Sequence, residues 1–160
     1  MARKVFFSFH FKNDCMRTQQ VRNMGVLEGN QPVTAQKWEE VKGAGNPAVE
    51  KWIDDNMKGK SCVVVLIGED TSKRPWVDYE IRKGWNDGKA VMGIYIHNLK
   101  CPNNGKSNKG ANPFEGIGMK NGKKLSDYVK CYNPDSSDAY NDIANNIESW
   151  IDAAIKARNS

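Results

Sequence analysis

The hydrophobic positions of this chain fall into two kinds of run, and the two kinds alternate. Cys62-Val-Val-Val-Leu-Ile67 is apolar without interruption and β-branched at Val63, Val64, Val65 and Ile67, the pattern of a strand covered on both faces. Lys4-Val-Phe-Phe-Ser-Phe-His10 and Ala90-Val-Met-Gly-Ile-Tyr-Ile-His97 read the same way. Between these strands the apolar residues recur at helical spacing. Ala48, Trp52, Ile53 and Met57 form one stripe, with Asn46 and Pro47 expected as cap and first helical residue and Gly59 as its end. Val77, Ile81 and Trp85 form another behind Pro75, which suits a first helical turn because its missing N–H would have had no partner there. Gly88 then supplies a left-handed stop. A thinner stripe of Phe11, Cys15, Val21 and Met24 predicts a helix from a cap at Asn13 or Asp14 to about Met24. The resulting order, β-α-β-α-β-α-β, argues for the α/β class with a mostly parallel sheet of four to five strands.

The remaining segments are read by their turn residues. Gly25 to Gln31 is expected as a loop, Pro32 to Ala35 as a weak short strand, and Trp38 to Pro47 as a flexible segment with two glycines. Residues 98–128 are glycine-rich, lysine-rich and irregular, a length of connection that inside a compact domain is usually functional or mobile. Val129 to Tyr132 suits a final edge strand. Pro134-Asp-Ser-Ser137 is expected to cap the last helix, in which Tyr140, Ile143, Ala144, Ile147, Trp150, Ile151, Ala154 and Ile155 repeat at helical spacing. Lys156 and Arg158 complement its carboxyl end.

Composition narrows the class. A chain of 160 residues, 39% hydrophobic and 27% charged, suits a single domain over 1–160 with a core of its own. No apolar run approaches the roughly 18 residues of a membrane helix, and the first strand is too short and aromatic for a signal-peptide core, so a cytoplasmic protein without membrane partners is expected. The four cysteines and two histidines are scattered without Cys-x-x-Cys or other ligand spacing, which favours reduced, buried thiols over a metal site or disulfide framework. The net charge of +5 suits an anionic partner. Its concentration in Lys100, Lys106, Lys109, Lys120, Lys123, Lys124 and Lys130 is better read as a solvated lysine-rich loop, because no arginine and few aromatics interleave, and nucleic acid is not the expected partner.

Several familiar sites are excluded by spacing. Gly116, Gly118 and Gly122 follow no strand and miss the Gly-x-Gly-x-x-Gly interval of a dinucleotide fingerprint. There is no Gly-x-x-x-x-Gly-Lys-Ser/Thr loop and no Gly-x-Ser-x-Gly elbow. What stands out is Glu80, one helical turn from Trp76 and just beyond the carboxyl end of the central strand, the end at which ligands bind in open α/β sheets. A carboxylate beside aromatic surface can stabilise positive charge developing at an anomeric carbon, or accept from ribose hydroxyls, as an N-glycosidic bond breaks. Spacing alone favours a blander reading, a solvated glutamate paired with Lys83 three residues on. Trp38 and Trp76 can stack on a base or nicotinamide ring, although the core is the commoner place for a tryptophan. His10 and His97 fall at predicted strand ends.

These residues carry a resemblance. Lys4-Val-Phe-Phe-Ser-Phe-His10 resembles the first-strand box of TIR domains, and Trp76-Val-Asp-Tyr-Glu80-Ile resembles their Trp-Cys-x-x-Glu-Leu box, with Val77 in place of the cysteine. Taken with Lys37-Trp-Glu39, Gly93-Ile-Tyr-Ile96 and Gly110-Ala-Asn-Pro-Phe114, the ordered set is similar to the TIR-like family that includes the ThsB proteins of Thoeris anti-phage defence. The Arg-Asp…Pro-Gly loop of receptor TIR domains is absent, and Trp38 to Pro47 stands in its place. The resemblance implies a flavodoxin-like, three-layer sandwich. It implies NAD as substrate rather than cofactor, cleaved between nicotinamide and ribose to give a cyclic ADP-ribose-type signal that acts on a separate effector. It assigns catalysis to Glu80 and substrate binding to Ser8, Phe9, His10 and Asn112, and beside these Trp38 and Trp76 are expected to join Phe9 in holding the rings and excluding water. Self-association is expected of such a domain. The alternative is a TIR-like module without catalysis, which binds partners or a nucleotide signal.

Overall fold

The computed structural model describes residues 3–10, 17–21, 24, 27–28, 40–100 and 105–159. Trp38, the predicted strand over 32–35, the proposed cap at Asn13 or Asp14, and Cys15 and Cys101 lie outside the described residues.

The strands are β1 (Arg3–Ser8), β2 (Leu27–Glu28), β3 (Cys62–Ile67), β4 (Ala90–Tyr95) and β5 (Cys131–Tyr132). They form one parallel sheet in the order β2-β1-β3-β4-β5. The long apolar runs occupy its middle. β3 and β4 are buried along their whole lengths and pair from Cys62 opposite Ala90 to Ile67 opposite Tyr95. This strand order is that of the flavodoxin-like doubly wound sheet, in which the chain moves outward in opposite directions from β1 and β3 and leaves a crevice between their carboxyl ends.

Helices cover both faces, giving three layers. α1 (Asn46–Met57) and α2 (Pro75–Asn86) lie on one, α3 (Ala139–Arg158) on the other. Alternation divides the core between them. Val63, Val65 and Ile67 of β3 join Ile53 of α1 and Ile81 of α2, while Cys62, Val64 and Leu66 join Ile143, Ile147 and Ile151 of α3. Residues 17–21 are helical, and Val21 packs with the α3 side. At the far end of the sheet Arg158 closes the fold, its Nη2 donating to the Trp85 carbonyl at 2.8 Å and its guanidinium lying 3.8 Å from the Trp85 ring centroid.

Several local expectations are corrected. Leu27–Glu28, within the segment expected to be a loop, pairs with Arg3 and Lys4, a tertiary pairing that two residues cannot announce. The α1 cap is Gly45, at φ 97°, not Asn46, because only glycine readily takes that left-handed conformation before the helix. The α3 cap is Asp138, whose side chain accepts from the Asn141 N–H, one residue after the predicted run. Tyr140 is 42% exposed, not part of the stripe. The 98–128 segment is not wholly solvated, since Leu99, Phe114, Ile117 and Leu125 are buried in it.

α2 rides close on β3, and Gly84 is the reason it can. A Cβ there would lie 2.5 Å from Cγ2 of Val63. Alanine is the better helix former by about 1 kcal/mol, but overpacking a filled core costs about 1–3 kcal/mol. Gly84→Ala is therefore expected to lower the denaturant midpoint without changing the slope of the transition. A raised midpoint would show that α2 can lift off β3 at no cost.

Candidate active site

The crevice at the carboxyl ends of β1 and β3 is built by a short, well-determined connection. Beyond Ile67, the Gly68 N–H donates to Thr71 Oγ1 at 2.8 Å, and fully buried Thr71 opens a 3₁₀ turn that leads into Pro75 and α2. That turn fixes the direction in which α2 starts, and hence which of its residues face the crevice. Glu80 does. It is 7% exposed, and Ser8, the last residue of β1, donates its hydroxyl to Glu80 Oε1 at 2.6 Å. The expectation of a solvated Glu80 paired with Lys83 is overturned: Lys83 instead pairs with Asp87, 3.1 Å away.

Burial pushes the Glu80 carboxyl up to about 8, and the Ser8 hydrogen bond offsets only part of that rise. No basic side chain among the described residues contributes to its setting. At neutral pH the unliganded carboxyl is therefore largely protonated, and a cation brought beside it would draw the proton off. Such a group is poised to meet a positively charged ligand.

Trp76 stands on α2 one turn before Glu80, half-buried, with Tyr79 edge-on at 5.6 Å. The Tyr79 hydroxyl donates to Asp54 Oδ1 of α1 at 3.0 Å, so this aromatic pair is braced against a second helix. Phe9 and His10 follow Ser8 at the mouth. Phe9 packs with the α3-side cluster, across the sheet from Glu80, and His10 is buried. The Asn112 Oδ1 accepts from the Phe114 N–H at 2.8 Å and so shapes its own turn, while Phe114 is wholly buried on the α2 side. The structure thus brings Ser8 and Glu80 together and puts Trp76 on the same helix. Trp38 lies outside the described residues.

Thr71 was not singled out by the sequence reading, although a threonine three residues after a strand-ending glycine was its signal. Arg17 was also missed. It is 5% exposed and donates from Nε to the Leu99 carbonyl and from Nη2 to the Gly105 carbonyl, each at 2.9 Å, pinning the segment after β4 to the 17–21 helix. The thiols of Cys62 and Cys131 are free, both pushed up to about 12 chiefly by burial. Among the described residues no group of acids, histidines and cysteines is placed to hold a metal ion, and no helix is long and apolar enough to cross a membrane.

Comparison with known proteins agrees with this geometry. Residues 6–101 match the family described as Thoeris protein ThsB, TIR-like domain. The chain is 36% identical over 136 residues to a protein of Bacillus cereus (strain MSX-D12) named "Putative cyclic ADP-D-ribose synthase ThsB1", a match covering 80% of this chain and 71% of that protein.

Proposed function

The chain belongs to the ThsB family of TIR-like domains, and from that premise we propose that it cleaves NAD at the bond between nicotinamide and ribose and closes the ADP-ribose part into a cyclic signal. The observation that carries this reading is the buried Ser8–Glu80 pair at the switch point of the sheet, with Trp76 one turn away. An uncharged crevice acid suits a substrate that carries its leaving group as a positively charged ring. As the positively charged nicotinamide ring docks, Glu80 ionises beneath it and Ser8 holds the carboxylate in place. The C1′–N bond then breaks with both electrons passing to the ring nitrogen, which leaves neutral. The carboxylate stabilises the positive charge left on the ribose. A nucleophile of the adenosine part attacks C1′, closes the ring and gives up a proton to solvent, from which Glu80 regains its own once the product has left.

Cyclisation depends on excluding water, since water reaching C1′ first would give linear ADP-ribose. Trp76 supplies aromatic surface for that purpose, and Phe9, His10, Trp38 and Asn112 are proposed to complete the pocket. The product is proposed to act on a separate effector protein.

The test is incubation of the purified protein with NAD, followed by chromatography and mass measurement. Free nicotinamide is expected, with a product lighter than ADP-ribose by one water. Linear ADP-ribose alone would overturn cyclisation and keep cleavage. No nicotinamide, even in lysate from phage-infected cells, would favour a module that binds without catalysis.

A further inference from the structure

The loop of residues 105–110 folds back across the carboxyl ends of β3 and β4. The Ser107 N–H donates to the His97 carbonyl at 2.9 Å, and the Asn108 N–H donates to Glu69 Oε1 at 3.2 Å. Two polar atoms here have no hydrogen-bond partner among the described residues. They are the buried Nδ1 of His97, a residue that is 9% exposed, and the buried hydroxyl of Ser107. Leaving such atoms unsatisfied costs about 1–3 kcal/mol each, and the Ser107 N–H bond to the His97 carbonyl makes their two residues neighbours.

The surroundings bear on what charge a ligand here would carry. Lys109 holds its ammonium 4.5 Å from the centroid of the Tyr95 ring, and that ring meets His97 edge-on at 6.3 Å. Lys106 donates to the Ser136 carbonyl beside the same loop, and Arg17 secures the loop from the other side at Gly105. Lys109, Arg17 and Lys106 all bear on His97. With burial the larger cause, they hold its imidazole below the ordinary histidine range. Three acids accompany these three cations: Glu69, engaged by the Asn108 N–H, Glu115, which bears on Tyr95, and Asp135, which Lys106 accompanies. Lys109 thus brings a cation, and Ser107 a hydroxyl donor, to one loop, the combination that phosphate oxygens take.

Its position suggests which phosphate. Tyr95 belongs to the α2-side core, the face that Glu80 occupies. β4 is separated from β1 by β3 alone, so at the usual strand spacing the two carboxyl ends stand roughly 10 Å apart. That is the order of the distance from a nicotinamide ribose to the diphosphate it carries. We propose that His97, Ser107 and Lys109 form an anion-binding subsite that takes the diphosphate of the dinucleotide whose glycosidic bond meets Glu80. The inference rests on the function proposed above for the Glu80 crevice. The residues beside Ser107 in the loop are exposed, so an anion reaches these donors by displacing loop side chains and not the sheet.

Calorimetric titration with ADP-ribose and with inorganic diphosphate tests the subsite without any turnover. Both are expected to bind the wild type. Ser107→Ala and His97→Phe, the latter keeping a ring against Tyr95, are each expected to weaken binding roughly tenfold, whereas Lys120→Ala is expected to leave it unchanged. No binding of either probe, or an equal loss in Lys120→Ala, would overturn the proposal. Binding of diphosphate without ADP-ribose would assign the site to free phosphate and overturn the dinucleotide assignment. Binding of both to a protein that does not cleave NAD would uphold the subsite and refute the catalytic reading instead.

Discussion

Glu80→Gln is expected to abolish nicotinamide release from NAD while leaving a protein more stable than the wild type above pH 8. The loss of activity follows from removing the buried carboxylate that the crevice presents to a developing ribosyl cation, an effect of roughly 10²–10³-fold or more. The gain in stability follows from the direction of the Glu80 shift, upward to about 8 from the ordinary 4.5. Below 4.5 the carboxyl is protonated in folded and unfolded chains alike, and its burial carries no charge penalty. As the pH rises from there the unfolded chain ionises first, so wild-type stability falls until the folded site also ionises near 8, after which the penalty is constant. Over that window the loss is on the order of 5 kcal/mol. The glutamine amide has no charge to bury and can still accept from Ser8, so the variant should show none of that slope. Chemical denaturation from pH 4 to 9 measures the difference; parallel curves for the two proteins would mean that Glu80 is ionised and solvated in the fold. In the wild type the same titration should appear as a kcat/KM for NAD that rises with pH towards about 8, the value of the unliganded site.

Gly110→Ala is expected to undock the 105–114 loop. An added Cβ would stand 2.1 Å from the Gly68 carbonyl oxygen and 2.9 Å from that of Glu69. Both are backbone atoms of the turn that aims α2, so neither can step aside as a side-chain tip would. Either the loop lifts, freeing the Asn108 N–H from Glu69 and the Ser107 N–H from His97, or the turn shifts and takes α2 and Glu80 with it. The expected readouts are a stability lower by about 1–3 kcal/mol, faster proteolysis between residues 105 and 114, and reduced NAD cleavage. An unchanged midpoint with unchanged protease resistance would show that the loop adapts around a methyl group.

The contrast between Glu80 and the sheet shows what kind of information a sequence holds. β3 and β4 were legible because continuous β-branched runs have few other uses, and the order of strands and helices then left a parallel, doubly wound sheet as the economical arrangement. α2 was legible from Pro75, the Val77–Ile81 stripe and Gly88, and the ordered boxes around Ser8 and Glu80 were enough to indicate the family. Each of these signals is local, or is a succession of local signals.

The state of the site was not local. Ser8 and Glu80 are 72 residues apart, and within α2 Glu80 had only Lys83 in view, which made a solvated ion pair the natural reading. Packing α2 against β3, at the closeness that Gly84 permits, moved the carboxyl out of water and under the end of β1, and burial then reversed its preferred charge state. The unpaired polar atoms of His97 and Ser107 likewise lie buried because the loop folds back over the end of β4. The sequence by itself determined the longer strands and helices, their order and the family. Tertiary packing alone decided which polar groups lose water, because desolvation depends on neighbours that the chain brings together from far apart.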